Sequence, residues 1–282
     1  MPAWDEPAVT VAARRLRLAA DPRRRRMGEG VRLGNGPGAS LEFHDHRAYA
    51  PGDDLRHLDW SAFARSEQLV IRRHRKEVSP RVEILFDVSQ SMAVTPEKLA
   101  LATALAALFA TLAERDGGRP RLWSLGAKSE PMSTPWRPVM RRLVPTGASG
   151  PAVRPGPQLA AGGERLLISD GLCPESPADI VRRLGSEAGS IGLVQLLTRD
   201  ELAPTAAGPV RLEDVEGGAA DLLLDEQAVT TYRQRLARLQ SAWQQTLNGR
   251  GFGVCTVAVE DGFDAAVRRL TRSGVVIPTG GG

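Results

Sequence analysis

One carboxylate and two hydroxyls follow directly on an apolar stretch in the first third of the chain. The stretch spans residues 82–86, and Asp87, Ser89 and Ser91 follow it at spacings of two residues. A short, mostly apolar run bounded by polar residues is typical of a strand buried on both faces. A loop that leaves the carboxyl end of this strand can direct all three oxygens to one point. Such hard oxygen ligands suit a divalent cation such as Mg²⁺, although a turn followed by a helix cap uses the same residue types.

A second carboxylate stands in the same position after another apolar stretch. Residues 166–169 are followed by Asp170 and Gly171. The carboxyl ends of adjacent parallel strands meet at one edge of an open α/β sheet, where such sheets bind their ligands. We therefore expect Asp87 and Asp170 to share one crevice. The alternative for Asp170 and Gly171 is a simple turn.

Strand-like and helix-like stretches alternate through the remainder of the chain. Residues 8–20 could form a short amphipathic helix that ends at Asp21 and Pro22. Thr95, Pro96 and Glu97 are typical of the first residues of another helix, and residues 227–247 indicate a further, long helix. Residues 121–125, 191–197 and 254–259 have the composition of strands. This alternation predicts an α/β fold, with a doubly wound, mainly parallel sheet and helices on both of its faces.

Composition limits the class of protein. The chain has 282 residues, 42% of them hydrophobic, which is enough for one large domain or two small ones. Only Cys173 and Cys255 are present, and their separation argues against a disulfide framework and against a zinc ribbon. No segment reaches about 20 uncharged apolar residues, so the sequence predicts no membrane span and a cytoplasmic location.

The excess positive charge lies at the amino terminus. Residues 1–80 carry 15 Lys and Arg against 11 Asp and Glu, whereas residues 81–282 carry 22 of each. Much of the excess comes from a group of arginines, namely Arg14, Arg15, Arg17, Arg23, Arg24, Arg25 and Arg26. They could contact an acidic protein, nucleic acid or anionic lipid. No aromatic residues alternate with them for base stacking, so the pattern favours a solvated tail over nucleic-acid binding.

Residues 40–76 combine a turn with alternating acidic, basic and aromatic groups. The turn is predicted at Pro51 and Gly52, and the charged groups indicate a network of Arg–carboxylate pairs. The predicted members of this network are Arg47, Tyr49, Asp53, Asp54, Arg56, Asp59, Trp60 and Arg65. The four histidines of the chain lie here as well, and they suggest a hydrolase metal site in residues 44–59. Their spacing matches no metalloenzyme signature.

The same residues carry a resemblance to a known family. The string Arg-x-Tyr-x-Pro-Gly-Asp-Asp-x-Arg-x-x-Asp-Trp runs from Arg47 to Trp60, and Asp87-x-Ser89-x-Ser91 follows it. Together they resemble the bacterial domain-of-unknown-function fifty-eight family, over roughly residues 30–275. Members of that family resemble von Willebrand factor A domains and are associated with MoxR-type AAA+ ATPases. The resemblance therefore implies a von Willebrand factor A-like fold and a metal-ion-dependent adhesion site.

The resemblance also implies further metal ligands. In the adhesion-site pattern a Gly-Gly-Thr loop supplies another hydroxyl, and Gly147-Ala148-Ser149 falls in register with that loop. Ser149 is then the implied ligand, with Thr146 as its alternative. The full predicted set comprises Asp87, Ser89, Ser91, Ser149 or Thr146, and Asp170. The expected ion is Mg²⁺, with Mn²⁺ or Ca²⁺ as alternatives.

These observations predict two regions and one main function. Residues 1–80 form a basic amino-terminal region packed on a von Willebrand factor A-like domain of residues 81–282. Because no base is placed by motif beside Ser89 or Ser91, the sequence favours a non-enzymatic protein-interaction module. The resemblance implies that its partner is a MoxR-type AAA+ ATPase. The alternatives are a metal-dependent hydrolase, using the crevice or residues 44–59, and a binder of anionic polymers through the Arg-rich amino terminus.

Overall fold

The computed structural model of the chain describes residues 4–19, 41–50, 58–66, 68–76, 81–145, 150–205, 208–213 and 219–279. The chain divides into two compact units. The first, here called the sheet domain, comprises Met1–Met27 and Pro80–Gly282. The second, here called the hairpin unit, is Gly28–Ser79.

The described strands are numbered in chain order. They are β1 (Leu16–Leu18), β2 (Leu41–Ala48), β3 (Val70–Lys76), β4 (Val82–Asp87), β5 (Arg121–Leu125), β6 (Ser129–Pro131), β7 (Glu164–Ser169), β8 (Ser190–Leu197), β9 (Gly208–Glu213), β10 (Ala219–Leu224), β11 (Gly253–Ala258) and β12 (Val276–Pro278).

The described α-helices are numbered in the same way. They are α1 (Glu6–Arg15), α2 (Trp60–Ser66), α3 (Pro96–Arg115), α4 (Trp136–Arg141), α5 (Pro177–Leu184), α6 (Arg199–Leu202), α7 (Glu226–Leu247) and α8 (Gly262–Arg272). Three short 3₁₀ helices add to them, at Gln90–Ala93, Gly150–Ala152 and Val259–Asp261.

A six-stranded sheet forms the centre of the sheet domain. Its strand order is β11-β8-β7-β4-β5-β6, and every neighbouring pair is parallel except β5 and β6. All six residues of β4 and all six of β7 are buried, as expected for central strands covered on both faces. The prediction that these two strands are adjacent and parallel is confirmed, with Phe86 opposite Ile168.

Helices cover both faces of this sheet. Ile84 and Phe86 point to one face, where they join a core formed with α1, α3 and α8. Leu85 points to the other face, where it packs in a second core with Ile180 of α5 and Trp243 of α7. The alternation of side chains along β4 thus serves two apolar cores. The predicted α/β architecture, a mainly parallel sheet flanked by helices, is confirmed.

The amino-terminal residues correct two predictions. A helix was expected over residues 8–20, but α1 ends at Arg15, and β1 pairs antiparallel with β12 at the other end of the chain. The physical reason is the alternation within β1, where Leu16 and Leu18 are buried and Arg17 is exposed. Residues 4–19 therefore belong to the sheet domain, so the predicted division into 1–80 and 81–282 does not hold for them.

By length and composition alone, one of the described helices could cross a membrane. This helix is α3, and the charged residues at its two ends (Glu97, Lys98, Glu114 and Arg115) keep its uncharged stretch shorter than about 20 residues. Its most apolar stretch is 78% buried inside the sheet domain, which is what the core helix of a folded domain shows. Thr95 begins α3 as predicted, accepting a hydrogen bond from the Lys98 N–H at 3.1 Å.

The hairpin unit is built on β2 and β3, which pair antiparallel with an irregularity between Phe43 and Asp45. Asp59 begins α2, because its carboxylate accepts a hydrogen bond from the Ala62 N–H at 3.0 Å. The predicted turn at Pro51 and Gly52 lies outside the described residues. Asp53, Asp54 and Arg56 of the predicted network also lie outside them, as do the arginines at positions 23–26. The packing of this unit on the sheet domain stays a prediction.

Candidate functional site

Asp87 is the centre of a compact oxygen cluster at the carboxyl end of β4. Its buried carboxylate accepts hydrogen bonds from the Ser89 N–H at 2.9 Å and from the Ser89 hydroxyl at 2.6 Å, both at Oδ1. The Ser89 and Ser91 hydroxyl oxygens lie 3.0 Å apart. The structure therefore brings together the three residues that the sequence singled out. Their role as metal ligands stays a prediction.

Backbone contacts hold the loop that carries these hydroxyls. The Val88 N–H donates to the Leu125 carbonyl at 2.8 Å, which ties the loop to β5. Ser89 then begins the short 3₁₀ helix Gln90–Ala93, and the fully buried Met92 anchors that helix in the core. The loop is thus fixed at both ends, and the serine hydroxyls keep their places beside Asp87.

Ser169 also belongs to the cluster, although sequence reasoning missed it. It is the last residue of β7, and its hydroxyl donates to Asp87 Oδ2 at 2.5 Å. The Ser169 hydroxyl oxygen itself accepts a hydrogen bond from the Gly171 N–H at 2.9 Å. The available signal was a serine at the end of a buried apolar strand, one residue before a carboxylate.

Gly150 brings the backbone of a third loop against Asp87. A Cβ at this position would lie 2.8 Å from both carboxylate oxygens, and the φ of 41° is itself favourable for glycine. Arg183 of α5 holds the next residue, since its guanidinium donates to the Pro151 carbonyl at 2.7 Å. The predicted ligands Thr146 and Ser149, which precede Gly150, lie outside the described residues.

Asp170 lies close enough to Asp87 for their charges to interact. Asp170 is buried, and its Oδ1 accepts a hydrogen bond from the Leu172 N–H at 3.0 Å. Burial raises the pKa of Asp87 from its ordinary value of 3.8 to about 7, and the charge of Asp170 is the second cause. Hydrogen bonds from Ser169 and Ser89 act in the opposite direction on that pKa.

A buried lysine compensates Asp170. The Lys98 ammonium is fully buried, and it donates to Asp170 Oδ2 at 3.2 Å and to the two carboxylate oxygens of Glu201 at 2.7 and 3.0 Å. Glu201 is fixed in turn by a reciprocal cap with Thr198 at the start of α6. Sequence reasoning missed Lys98, which lies in the first turn of α3. Asp87 has no such partner among the lysines and arginines that the structure describes.

The donors around Asp87 fit a hard divalent cation. They are one carboxylate and two neutral hydroxyls, the oxygen ligands that Mg²⁺ binds together with several waters. Within the described ranges no three His, Cys, Asp or Glu side chains converge on one point, so a zinc-type ligand set is not formed there. Burial raises the pKa of the nearby Cys173 thiol to about 12, which keeps it protonated at neutral pH.

The predicted Arg–carboxylate network of the hairpin unit is described only in part. Asp59 is buried and caps α2, whereas Trp60 is 63% exposed and contacts Phe63 edge to face. The Tyr49 N–H donates to the Leu69 carbonyl at 2.8 Å, and Arg65 is exposed. Arg47 lies on β2, opposite Ile71. The pairing of these groups with Asp53, Asp54 and Arg56 stays a prediction.

Relatives and solved structures of similar shape give little functional information. Uncharacterised proteins of Mycobacterium bovis and Mycobacterium tuberculosis are 26% identical over 290 aligned residues, covering 95% of this chain and 90% of theirs. Two solved structures cover 69% of this chain and 98% of their own. They are a conserved hypothetical protein BatB from Bacteroides thetaiotaomicron and an aerotolerance-related membrane protein from Bacteroides fragilis. Their identities of 12% and 16%, with TM-scores of 0.37 and 0.35, support no argument about function.

A family comparison is more specific. The sequence profile described as "Protein of unknown function DUF58" matches residues 45–246. This range includes the string that begins at Arg47, the Asp87 cluster and Asp170. It covers more than half of the chain, so the protein belongs to the DUF58 family.

Proposed function

We propose that this chain is a non-enzymatic protein-interaction module that binds Mg²⁺ through Asp87, Ser89 and Ser91. One observation carries the proposal: the Ser89 hydroxyl donates to the buried Asp87 carboxylate, the Ser91 hydroxyl lies 3.0 Å from that of Ser89, and no described cation compensates the carboxylate. A charge buried without a partner is costly, so a cation at this point would stabilise the folded state. We propose in addition that the sheet domain is von Willebrand factor A-like, with Ser149 or Thr146 as a further ligand.

The ligand preference of the cation favours an acidic partner. The bound cation would supply a coordination position open to a carboxylate of another protein. Lys98 pairs with both Asp170 and Glu201, so that trio keeps one negative charge. A divalent ion opposite Asp87 would bring the whole group to neutrality. Hard divalent ions prefer anionic oxygens as ligands, and an Asp or Glu side chain of a partner supplies one at the open position.

The environment of the hydroxyls supports binding over catalysis. A serine nucleophile needs an activating base and access to its substrate. Ser169 and Ser89 both donate their hydroxyl hydrogens to Asp87. Among the described residues the half-buried Ser91 side chain contacts the Ser89 hydroxyl and no base. Within the hydrolase alternative of residues 44–59, positions 51–57, which include His57, Asp53 and Asp54, lie outside the described residues.

The nature of the partner rests on the family resemblance. DUF58 members are associated with MoxR-type AAA+ ATPases, so we propose that such an ATPase binds this chain as its adaptor in protein assembly or remodelling. The proposed location is the cytoplasm. The Arg-rich segment stays a second candidate for anionic partners, and its first members, Arg14 and Arg15, are exposed in the last turn of α1.

A binding measurement with the full chain tests this proposal. The immobilised protein is exposed to the MoxR-type ATPase of the same organism, in millimolar Mg²⁺ and again in EDTA. We expect binding in Mg²⁺ that is lost in EDTA and in Asp87→Ala. The matched control is Asp264→Ala, which removes an exposed carboxylate from the first turn of α8 and should leave binding unchanged. Equal binding with and without Mg²⁺ would contradict the proposal.

A further inference from the structure

Exposed apolar side chains stand close in sequence to the residues of the Asp87 cluster. The large exposed apolar residues in the described part of the sheet domain are Val11, Val94, Val144 and Leu172. Val94 is three residues after Ser91, Leu172 is two residues after Asp170, and Val144 is six residues before Gly150. Of these, Val144 is 71% exposed and also lines a groove on the surface. Exposed apolar surface of this kind marks a site of interaction.

An open groove of about 530 Å³ is lined in part by Val88, the residue after Asp87. The side chains of Asp87, Ser89 and Ser91 do not line it, so the groove approaches the cluster through Val88. Its other walls are β6, α4 and the residues that follow α4. The apolar side chains that line it are Val88, Met132, Pro138, Val139, Leu143 and Val144. A groove of this size has room for a few side chains of a bound segment.

The charged groups of the groove restrict what can bind. Arg142 lines it and is exposed, and within the described part of the chain no carboxylate pairs with it. Glu130 on β6 is the one carboxylate in the lining, and it disfavours an acidic group on that wall. Acidic groups of a ligand are therefore favoured at Arg142 and at the cation, with apolar groups between them.

We infer that this groove binds an extended segment of a partner protein in which an apolar residue stands next to an Asp or Glu. The apolar side chain lies in the groove beside Val88 and Val144, and the neighbouring carboxylate reaches the cation held by Asp87. Apolar contacts supply affinity, and the carboxylate fixes the register of the segment. The inference rests on the proposed function, because that carboxylate would be a ligand of the proposed cation.

Peptide selection on the intact protein tests the inference. A phage library of random 12-residue peptides is selected against the full chain in millimolar Mg²⁺, and the enriched peptides are synthesised. We expect them to share an apolar residue next to Asp or Glu. Replacing that acid by its amide, or the apolar residue by Ser, should weaken binding at least tenfold. Enrichment of peptides without this pair would overturn the inference.

Two variants of the protein locate the binding surface. Val144→Asp places a charge on a side chain that is 71% exposed, so folding should be unaffected, and peptide binding should fall at least tenfold. Val11→Asp makes the same change on α1 and should leave binding unchanged. Equal binding by wild type and Val144→Asp would overturn the inference. A wild-type dimer that Val144→Asp converts to a monomer in sedimentation would also overturn it, since the occupant would then be a second copy.

The two proposals fail in different ways. If Mg²⁺ stabilises the wild type but not Asp87→Ala, and the selected peptides bind Val144→Asp as well as they bind the wild type, then the proposed binding groove is wrong and the cation site is supported. If peptide binding depends on Val144 but persists in EDTA and in Asp87→Ala, the cation site is wrong and the carboxylate has no acceptor there. In that second case the apolar part of the groove is supported.

Discussion

Buried carboxylates lie at both ends of strands β4 and β7, but they differ in whether a cationic side chain contacts them. At the amino end, Glu83 and Arg165 face each other at 3.5 Å, and both are almost fully buried. The Arg165 guanidinium also donates to the carbonyls of Leu184, Ser186 and Ala160, and Glu83 accepts the Ala160 N–H. At the carboxyl end, Asp87 is contacted by hydroxyls and a backbone N–H but by no described cation.

This difference separates a structural ion pair from a ligand site. A buried pair with its remaining hydrogen bonds satisfied needs nothing from outside the chain. Asp87 is buried among neutral donors and no described cation compensates its charge. Its pKa is raised because the charged form is disfavoured there. The carboxyl end offers a comparison of its own, because Lys98 pairs with Asp170 and Glu201 but not with Asp87. Mutations at the amino end should therefore change stability alone, and mutations at Asp87 should change the response to Mg²⁺.

The largest effect is expected at the amino end. Arg165→Met leaves the buried Glu83 with only the half-exposed Arg121 at 3.4 Å and leaves three backbone carbonyls without their donor. It should lower the free energy of unfolding by about 3–5 kcal/mol, measured by urea denaturation. Any increment in stability from Mg²⁺ should stay the same. Arg182→Met, on the exposed side of α5, is the control and should change stability by less than about 0.5 kcal/mol. A wild-type-like Arg165→Met would show that this pair is not structural.

A somewhat smaller effect is expected for Lys98→Met. It leaves Asp170 and Glu201 without their shared cation, and stability should fall by about 3 kcal/mol because Glu201 can still reach water. Adding Asp170→Asn to this variant should recover part of the loss, since the buried negative charge is then removed. A double-mutant cycle on urea denaturation measures the coupling. Additive effects of the two substitutions would contradict the assigned pairing.

The pH dependence of stability reports on Asp87. Its folded pKa of about 7 lies above the ordinary 3.8, so between these pH values the folded state holds a proton that the unfolded chain has released. In EDTA, stability should therefore fall as pH rises from about 4 to 7, by about 3 kcal/mol. Asp87→Asn should lack this part of the slope. Identical pH profiles of wild type and variant would contradict the raised pKa.

The smallest effect on stability is expected at Gly150. Gly150→Ala places a methyl group against both oxygens of Asp87, and it should cost about 1–2 kcal/mol and weaken the response to Mg²⁺. The control is Gly117→Ala, which also has a positive φ but meets no atom within 4 Å. It shares the backbone strain without the contact. If the two variants respond equally to Mg²⁺, Gly150 does not shape the site.

Local patterns in the sequence were sufficient to predict part of the site. Asp87, Ser89 and Ser91 lie within five residues of one another, and two apolar runs predicted that β4 and β7 are neighbours. The helix start at Thr95 was predicted from residue types that satisfy the backbone locally. Each of these features depends on neighbours in the sequence, which a pattern can detect.

Contacts between distant parts of the chain could not be predicted in this way. Lys98 meets Asp170 across 72 residues, and Ser169 meets Asp87 across 82. No local pattern distinguishes Lys98 from an ordinary exposed lysine in the first turn of a helix. The end of α1 at Arg15 was missed for the same reason, because β1 is stabilised by β12 near the end of the chain.

Calorimetric titration of the metal-free protein with Mg²⁺ measures whether the Asp87 cluster binds a cation. We expect one saturable site in the wild type and in Asp264→Ala, and no binding by Asp87→Ala. At a hundredfold excess of Mg²⁺ over Kd, the wild type should gain about 2.7 kcal/mol in the free energy of unfolding. No binding by the wild type, or equal binding by Asp87→Ala, would show that Asp87 does not hold a cation.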